Sequence, residues 1–205
     1  MRPGGAASSR HFRDMMIMLI CALAVVRVWA ETPRDDTSTQ PLPGESVYQL
    51  PMSLIDQNGR TSTLAALRGQ PVLVAMFYTS CDNVCPMIAW QLRRIEQALP
   101  EAERARLRVL MVSFDPARDT PEALRKFATA HKADPSRWVV ARAEENEVRN
   151  LAAVLGLRYR ELDNGVFNHS SVITLLDADG MIRARTSDLK NVDAEFVRTV
   201  EASLR

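Results

Sequence analysis

The sequence predicts an α/β fold in which a mostly parallel central sheet has flanking helices and an N-terminal hairpin. Apolar runs of strand length alternate along the chain with amphipathic stretches of helix length, which is the pattern of βαβ units. The composition is that of an ordinary globular protein, since 46% of the 205 residues are hydrophobic and 25% are charged. At roughly 100–200 residues per domain, this length suits one domain with a short additional segment.

Residues 1–30 have the pattern of an export signal. A basic start is followed by the uncharged run 15–26 and by small residues spaced as in a cleavage site at 28–30. Twelve uncharged residues are too few to cross a bilayer, which takes about 20. We therefore expect a cleaved signal peptide. The alternative is an uncleaved anchor, lengthened by snorkelling of Arg27, that attaches the protein to the membrane.

Residues 31–46 are rich in Pro, Thr, Ser and Asp without periodicity, which predicts a flexible linker ahead of a folded domain over residues 47–205. With an export signal, this domain is expected in the periplasm or on the outer face of the inner membrane. A formal net charge of +1 argues against nucleic-acid binding, which needs a strongly basic face. The sequence also has no phosphate-binding glycine motif and no zinc-protease motif.

The domain begins with a predicted hairpin, because Asn58-Gly59 is a strong turn signal between the short apolar segments 50–54 and 61–64. Apolar runs then predict the strands of the main sheet at 71–78, 107–114, 138–141, 172–176 and 181–184. Amphipathic periodicity predicts helices at 86–99, 121–130, 144–155 and 194–204. Two aspartates at 177–180 are read as a hairpin turn, because the remaining spacing of a calcium loop is missing. Met87 and Met111 are assigned to the core.

Cys81 and Cys85 lie between the first long strand and its helix, at the end of the sheet where α/β proteins keep their sites. This placement, with the order of elements, suggests a thioredoxin-like sandwich. Unpaired N–H groups at a helix start favour thiolate, the form that binds metals and exchanges disulfides. The C-x3-C spacing places the sulfurs within reach of one ion or of each other. A purely structural disulfide is the alternative, but so small a loop would restrain little of the unfolded chain.

From residue 47 to its end, the chain resembles the SCO/SenC family, which comprises thioredoxin-fold copper proteins associated with cytochrome c oxidase assembly. The resemblance rests on Cys81-x3-Cys85-Pro86, on the run from Ser113-Phe114-Asp115-Pro116 to Asp119-Thr120-Pro121, and on Asn168-His169-Ser170-Ser171. It implies copper bound by Cys81, Cys85 and His169, and a role for Asp115 and Asp119 beside the metal or in docking a partner.

The donor chemistry agrees with the resemblance, since two thiolates and an imidazole suit Cu(I) and can hold Cu(II). Zinc is the chemical alternative, because two cysteines and one histidine also form zinc sites. Asn168 stands where the family pattern has Asp, which removes a negative charge beside the metal. Asp119 has a second interpretation, because either Asp119 or Thr120 suits the start of a helix with Pro121 at its first position.

Two functions are therefore expected to compete. The first is an exported metallochaperone that delivers copper to the cytochrome c oxidase subunit carrying the copper site. The second is a thiol–disulfide oxidoreductase in which Cys81 and Cys85 maintain the cysteines of that oxidase site. Other copper carriers or thiol reductants are expected as further partners. A peroxiredoxin is disfavoured, because neither cysteine is preceded by the Thr-x-x of that family.

Overall fold

The structure is a computed structural model that describes residues 40–205. The signal or anchor over residues 1–30 and most of the linker lie outside the described residues. Among residues 40–205, no helix combines the length and the apolar character needed to cross a membrane.

Nine strands and five α-helices make up the described fold. The strands are β1 Ser53–Asp56, β2 Thr61–Thr63, β3 Val72–Phe77, β4 Arg108–Ser113, β5 Trp138–Arg142, β6 Tyr159–Glu161, β7 Phe167–His169, β8 Ile173–Leu176 and β9 Ile182–Thr186. The helices are α1 Val84–Ala98, α2 Glu101–Arg104, α3 Pro121–Ala130, α4 Glu145–Leu155 and α5 Ala194–Ser203. The 3-10 helices Val47–Gln49 and Leu64–Leu67 flank the first hairpin.

Seven strands form the central sheet in the order β2-β1-β5-β4-β3-β8-β9. The three central strands β5, β4 and β3 run parallel, as the apolar runs predict. The other pairings are antiparallel, so the sheet is mixed rather than mostly parallel. The reason is that the chain enters β8 at the end of the sheet where β3 finishes. The predicted fold class, an α/β thioredoxin-like sandwich with an N-terminal hairpin, is confirmed.

Strand β3 lies inside the sheet between β4 and β8, and all six of its residues are buried. Its neighbour β4 is buried along all but its first residue. Helix α1 packs against β3, α3 against β5 and α5 against β9, which covers the apolar strands with amphipathic helices. Because β3 is fixed on both edges, the loop that follows it is held in a defined place at one end of the sheet.

Strands β6 and β7 form a separate two-stranded sheet that the sequence analysis does not predict. Each strand has only three residues, and neither contains an apolar run. Their turn carries the same kind of signal as the first hairpin, since Asn164 accepts a hydrogen bond from the Val166 N–H and Gly165 has φ = 76°. This hairpin brings His169 to the end of the central sheet at which β3 finishes.

Candidate metal centre

The two cysteines are positioned by the end of β3 and the start of α1. Cys81 precedes the helix, whereas Cys85 lies in its first turn. The backbone N–H of Cys85 points at the Cys81 sulfur, 3.4 Å away, and the N–H of Tyr78 points at the Cys85 sulfur, 3.5 Å away. Both cysteines are free thiols and buried, with 9% of Cys81 and none of Cys85 exposed. The two sulfurs therefore face each other across the first turn of α1.

The surroundings of the two thiols shift their pKa values in opposite directions. Burial acts to raise the pKa of Cys81, but hydrogen bonds from the backbone N–H groups of residues 83–85 outweigh it, so the pKa is lowered. Burial raises the pKa of Cys85, and the nearby Cys81 sulfur and Asp119 carboxylate raise it further. Cys81 is therefore the thiol that ionises first, and Cys85 is held as the neutral partner.

His169 ends strand β7 and is half-buried beside an aromatic cluster. Its ring centroid is 5.0 Å from that of Phe114 and 6.0 Å from that of Tyr78. The Nδ1 atom lies 3.0 Å from the Ser170 carbonyl oxygen. A neutral ring that donates its proton there keeps the Nε2 lone pair for a metal ion.

Cys81, Cys85 and His169 come together although the histidine is far from the cysteines in sequence. One donor atom from each residue lies within 4.8 Å of the other two. Donors bound to one ion at about 2.0–2.3 Å in a tetrahedral or trigonal site lie about 3.3–4.0 Å apart, so shifts of about 1 Å would bring the three atoms into coordinating positions. The arrangement can hold a thiophilic ion, or it can form a disulfide between the two sulfurs.

Asp119 lies beneath the cysteine loop with its side chain fully buried. Its carboxylate accepts hydrogen bonds from the Thr79 N–H at 3.0 Å, from the Thr79 hydroxyl at 2.5 Å and from the Ser113 hydroxyl at 2.5 Å. Asp119 does not cap helix α3. The cap is Thr120, whose hydroxyl accepts a hydrogen bond from the Ala123 N–H. Asp119 therefore links the end of β4 to the segment that leads into Cys81.

Asp115 is also buried, with 4% of the residue exposed, and its carboxylate accepts from the Arg118 guanidinium. Arg118 bonds in turn to the Gly165 carbonyl oxygen at 2.8 Å, at the turn of the β6–β7 hairpin. In this conformation neither aspartate presents its carboxylate to solvent. Asp115 acts through Arg118 on the hairpin that carries His169.

The structure also corrects and extends the assignments around the site. Met111 is buried as predicted, but Met87 is 38% exposed, because it lies on the outer face of α1. His131 follows the last residue of α3 and is not part of the cysteine cluster. Sequence reasoning missed Thr79 and Ser113, because a hydroxyl residue near a cysteine motif carries no signal of the buried carboxylate that it binds.

Comparisons with known proteins identify the family. The SCO1/SenC family model matches residues 41–204. A candidate copper-binding protein of Stutzerimonas stutzeri is 28% identical over 178 residues, which are 83% of this chain and 84% of that protein.

Two solved structures share the fold. The copper-bound ScoI structure of Bradyrhizobium japonicum has a TM-score of 0.64 at 23% identity, covering 74% of this chain and 96% of that one. The second is BsSco, a member of the Sco family of cytochrome c oxidase assembly proteins in which a disulfide switch was identified. It has a TM-score of 0.66 at 22% identity, covering 77% of this chain and 94% of that one. Since the family model spans nearly all the described residues, the chain belongs to the SCO1/SenC family.

Proposed function

We propose that this chain binds one copper ion through Cys81, Cys85 and His169 and delivers it during assembly of cytochrome c oxidase. The observation that carries the proposal is the 4.8 Å grouping of two thiol sulfurs and one imidazole nitrogen. Two sulfurs and an imidazole form a soft donor set that suits Cu(I) and can also hold Cu(II). The copper-binding description of the Stutzerimonas relative supports copper over zinc.

Delivery would proceed by ligand exchange, without making or breaking a covalent bond in the partner. Cys81 and His169 are the donors nearest the surface, whereas Cys85 is fully buried. Donors of the receiving protein would therefore replace His169 or Cys81 first and Cys85 last. The proposed recipient is the oxidase subunit that carries the copper site. Other copper carriers are proposed as sources of the ion.

The unequal pKa shifts of the two thiols favour a second candidate, a thiol–disulfide oxidoreductase. The Cys81 thiolate would attack a disulfide of the oxidase copper site, forming a mixed disulfide and releasing one client thiol. Cys85 would then lose its proton and attack the Cys81 sulfur, which releases the second client thiol. The client gains two electrons and two protons, Cys81 and Cys85 become a disulfide, and an external thiol reductant must restore them. This reaction does not need His169.

We place this activity outside the cytoplasm, in the periplasm or on the outer face of the inner membrane. The support is the basic, apolar and small-residue pattern of residues 1–30. Cell fractionation with an antibody to the folded domain tests the location. Full-length protein in the cytosol would contradict it.

Anaerobic copper titration of the reduced chain tests the ligand set. Cys81→Ser, Cys85→Ser and His169→Ala should each weaken Cu(I) binding by more than the 10–100-fold typical of losing a residue that only orients a ligand. His131→Ala is the matched control for His169→Ala, because it removes a histidine that is not part of the cysteine cluster. If His169→Ala keeps full Cu(I) affinity, or if zinc displaces Cu(I), the copper site as proposed is wrong.

Disulfide exchange by the same variants separates the two functions. His169→Ala should lose copper delivery to the oxidase subunit while still reducing a disulfide peptide at the wild-type rate. If instead oxidase assembly in cells is normal with His169→Ala and fails with Cys81→Ser, the oxidoreductase is the function.

A further inference from the structure

A groove of about 560 Å³ lies beside the β6–β7 hairpin, away from the cysteines. Its walls come from α4 and from the loop that follows β4, and residues 157–161 line it continuously. One face of a strand would contribute only alternate residues. The groove therefore runs along an edge of β6 rather than across a face.

That edge of β6 has no strand beside it, since among residues 40–205 the small sheet contains only β6 and β7. The Ser170 N–H donates to the Arg158 carbonyl oxygen, and the Leu162 N–H donates to the Val166 carbonyl oxygen. Because hydrogen-bonded pairs alternate in an antiparallel ladder, the backbone groups of Tyr159 and Glu161 point away from β7. They are available to a further strand.

Two exposed arginines lie along this edge. Arg158 and Arg160 are exposed and lie two residues apart, so they share one face of β6. Neither has an ion-pair partner among residues 40–205. The carboxylates of the groove are already paired, Glu145 with Arg149 and both Asp115 and Glu161 with Arg118. An added strand would therefore meet uncompensated positive charge on this face.

The opposite face of β6 carries Leu157 and Tyr159, with Glu161, which is paired with Arg118, at its end. Tyr159 stacks on Phe114, with ring centroids 5.1 Å apart, and Leu157 is buried beside them. The Tyr159 hydroxyl is buried and has no hydrogen-bond partner within the described chain.

We propose that an extended protein segment, with acidic residues on one face and apolar residues on the other, binds along β6 as an added strand. Its acidic side chains pair with Arg158 and Arg160, and its apolar side chains extend the surface formed by Leu157 and Tyr159. Strands are about 4.8 Å apart, and Tyr159 lies opposite His169 in the register. The segment therefore lies about 10 Å from the His169 backbone. The surface fits a copper-exchange partner, and only this assignment of the segment rests on the proposed function.

The test uses the full chain, reduced and metal-free, with a fluorescent seven-residue peptide in which aspartate or glutamate alternates with valine. Saturable binding tighter than about 1 mM is expected by fluorescence anisotropy. Arg158→Glu/Arg160→Glu should weaken it about tenfold or more. The matched control Arg106→Glu/Arg198→Glu reverses two exposed arginines elsewhere and should leave the dissociation constant unchanged.

Two further measurements test the strand geometry. Two peptides are methylated at the backbone nitrogens, one at the valines and one at the acidic residues. Only the peptide methylated on the edge that faces β6 should lose binding. Hydrogen exchange of the amides of Tyr159 and Glu161 should slow when the unmodified peptide binds. Equal loss with both methylated peptides, or unchanged exchange, would overturn strand addition.

Absence of peptide binding would overturn the proposal, as would equal weakening by the control pair. If the arginine pair changes only the binding of phosphatidylglycerol vesicles, the surface recognises lipid and the proposal is also wrong. Because the chain is metal-free throughout, these outcomes are separate from the copper titration that tests the proposed function.

Discussion

Replacing Asp119 with alanine should loosen the cysteine loop as well as destabilise the domain. The carboxylate accepts three hydrogen bonds, two from Thr79 and one from Ser113, and no part of Asp119 is exposed. Thr79 lies two residues before Cys81. Asp119→Ala leaves the N–H and hydroxyl of the half-buried Thr79, and the hydroxyl of the buried Ser113, without their acceptor. We therefore expect the loop that presents Cys81 to lose its attachment to β4.

The expected cost follows from these contacts. Each lost hydrogen bond costs about 1 kcal/mol, so the total is about 3 kcal/mol. For a domain of this size, 1 kcal/mol lowers the melting temperature by about 2–4 °C, which predicts a fall of about 6–12 °C. Cu(I) affinity should fall about 10–100-fold, as is typical when a residue that orients a metal ligand is lost.

Asp119→Asn is the control, because the amide keeps the shape of the carboxylate. Its oxygen can accept from the Thr79 N–H and its NH₂ group can donate to the Thr79 hydroxyl, which turns to accept. We expect its unfolding free energy to stay within about 1 kcal/mol of wild type. Urea unfolding and Cu(I) titration are measured on both variants. If Asp119→Ala unfolds as predicted but keeps full Cu(I) affinity, Asp119 stabilises the fold without positioning Cys81.

Comparing Asp119→Asn with wild type predicts how the unfolding free energy changes with pH. Burial raises the pKa of Asp119 above its ordinary value of 3.8, and its hydrogen bonds offset this only in part. Below pH 3.8 the acid is protonated in both states, and the native state has the full stability that the neutral form gives. This stability is lost as the pH rises through the raised pKa of the native state. The unfolding free energy of Asp119→Asn should increase relative to wild type over that interval and then level off. A constant difference in urea unfolding from about pH 3.5 to about pH 7.5 would contradict the burial argument.

Two more predictions follow from the described geometry. Iodoacetamide should modify Cys81 before Cys85 at neutral pH, because only the Cys81 pKa is lowered, and peptide mass mapping that finds the reverse order would refute the assignment. Gly180→Ala should cost more than about 3 kcal/mol, since a Cβ there would lie 2.6 Å from a Tyr48 ring carbon at φ = 80°. Gly156→Ala, at φ = 74° with nothing within 4 Å of its Cβ, should cost only about 1–2 kcal/mol in the same urea titration.

The parts of the fold that could be predicted from sequence are those whose signal is local. The apolar run 71–78 predicts β3 because a strand buried on both faces needs apolar residues throughout. Pro121 predicts the start of α3 because its fixed φ and missing N–H suit only the first turn. The choice between Asp119 and Thr120 as the helix cap could not be made in this way. Both side chains suit the cap, and the decision depends on Thr79, which only the fold brings near.

The candidate site also has one part that the local sequence predicts and one part that it does not. The position of Cys81 and Cys85 at the end of a strand follows from the sequence around them. The placement of His169 does not, because β6 and β7 are too short to show periodicity and the hairpin pairs with no strand of the central sheet. Only the resemblance to SCO/SenC proteins connected His169 with the cysteines before the fold was known. The Asn164-Gly165 turn was the one local signal of the hairpin that the sequence carried.

The way His169 is held bears on the proposed delivery of copper. The β6–β7 hairpin contacts the central domain through the rings of Tyr78 and Phe114, with centroids 5.0–6.0 Å from the rings of Phe167 and His169. Arg118 also holds the hairpin, because it donates to the Gly165 carbonyl oxygen and pairs with Glu161. Each ring contact is worth about 0.5–1.5 kcal/mol beyond the area that it buries. Moving the hairpin away also breaks the Arg118 contacts, but it breaks no strand pairing of the central sheet. The two sulfurs, by contrast, are fixed by β3 and α1. His169 can therefore move away while the two sulfurs stay in place, which is the order of events that the proposed ligand exchange requires.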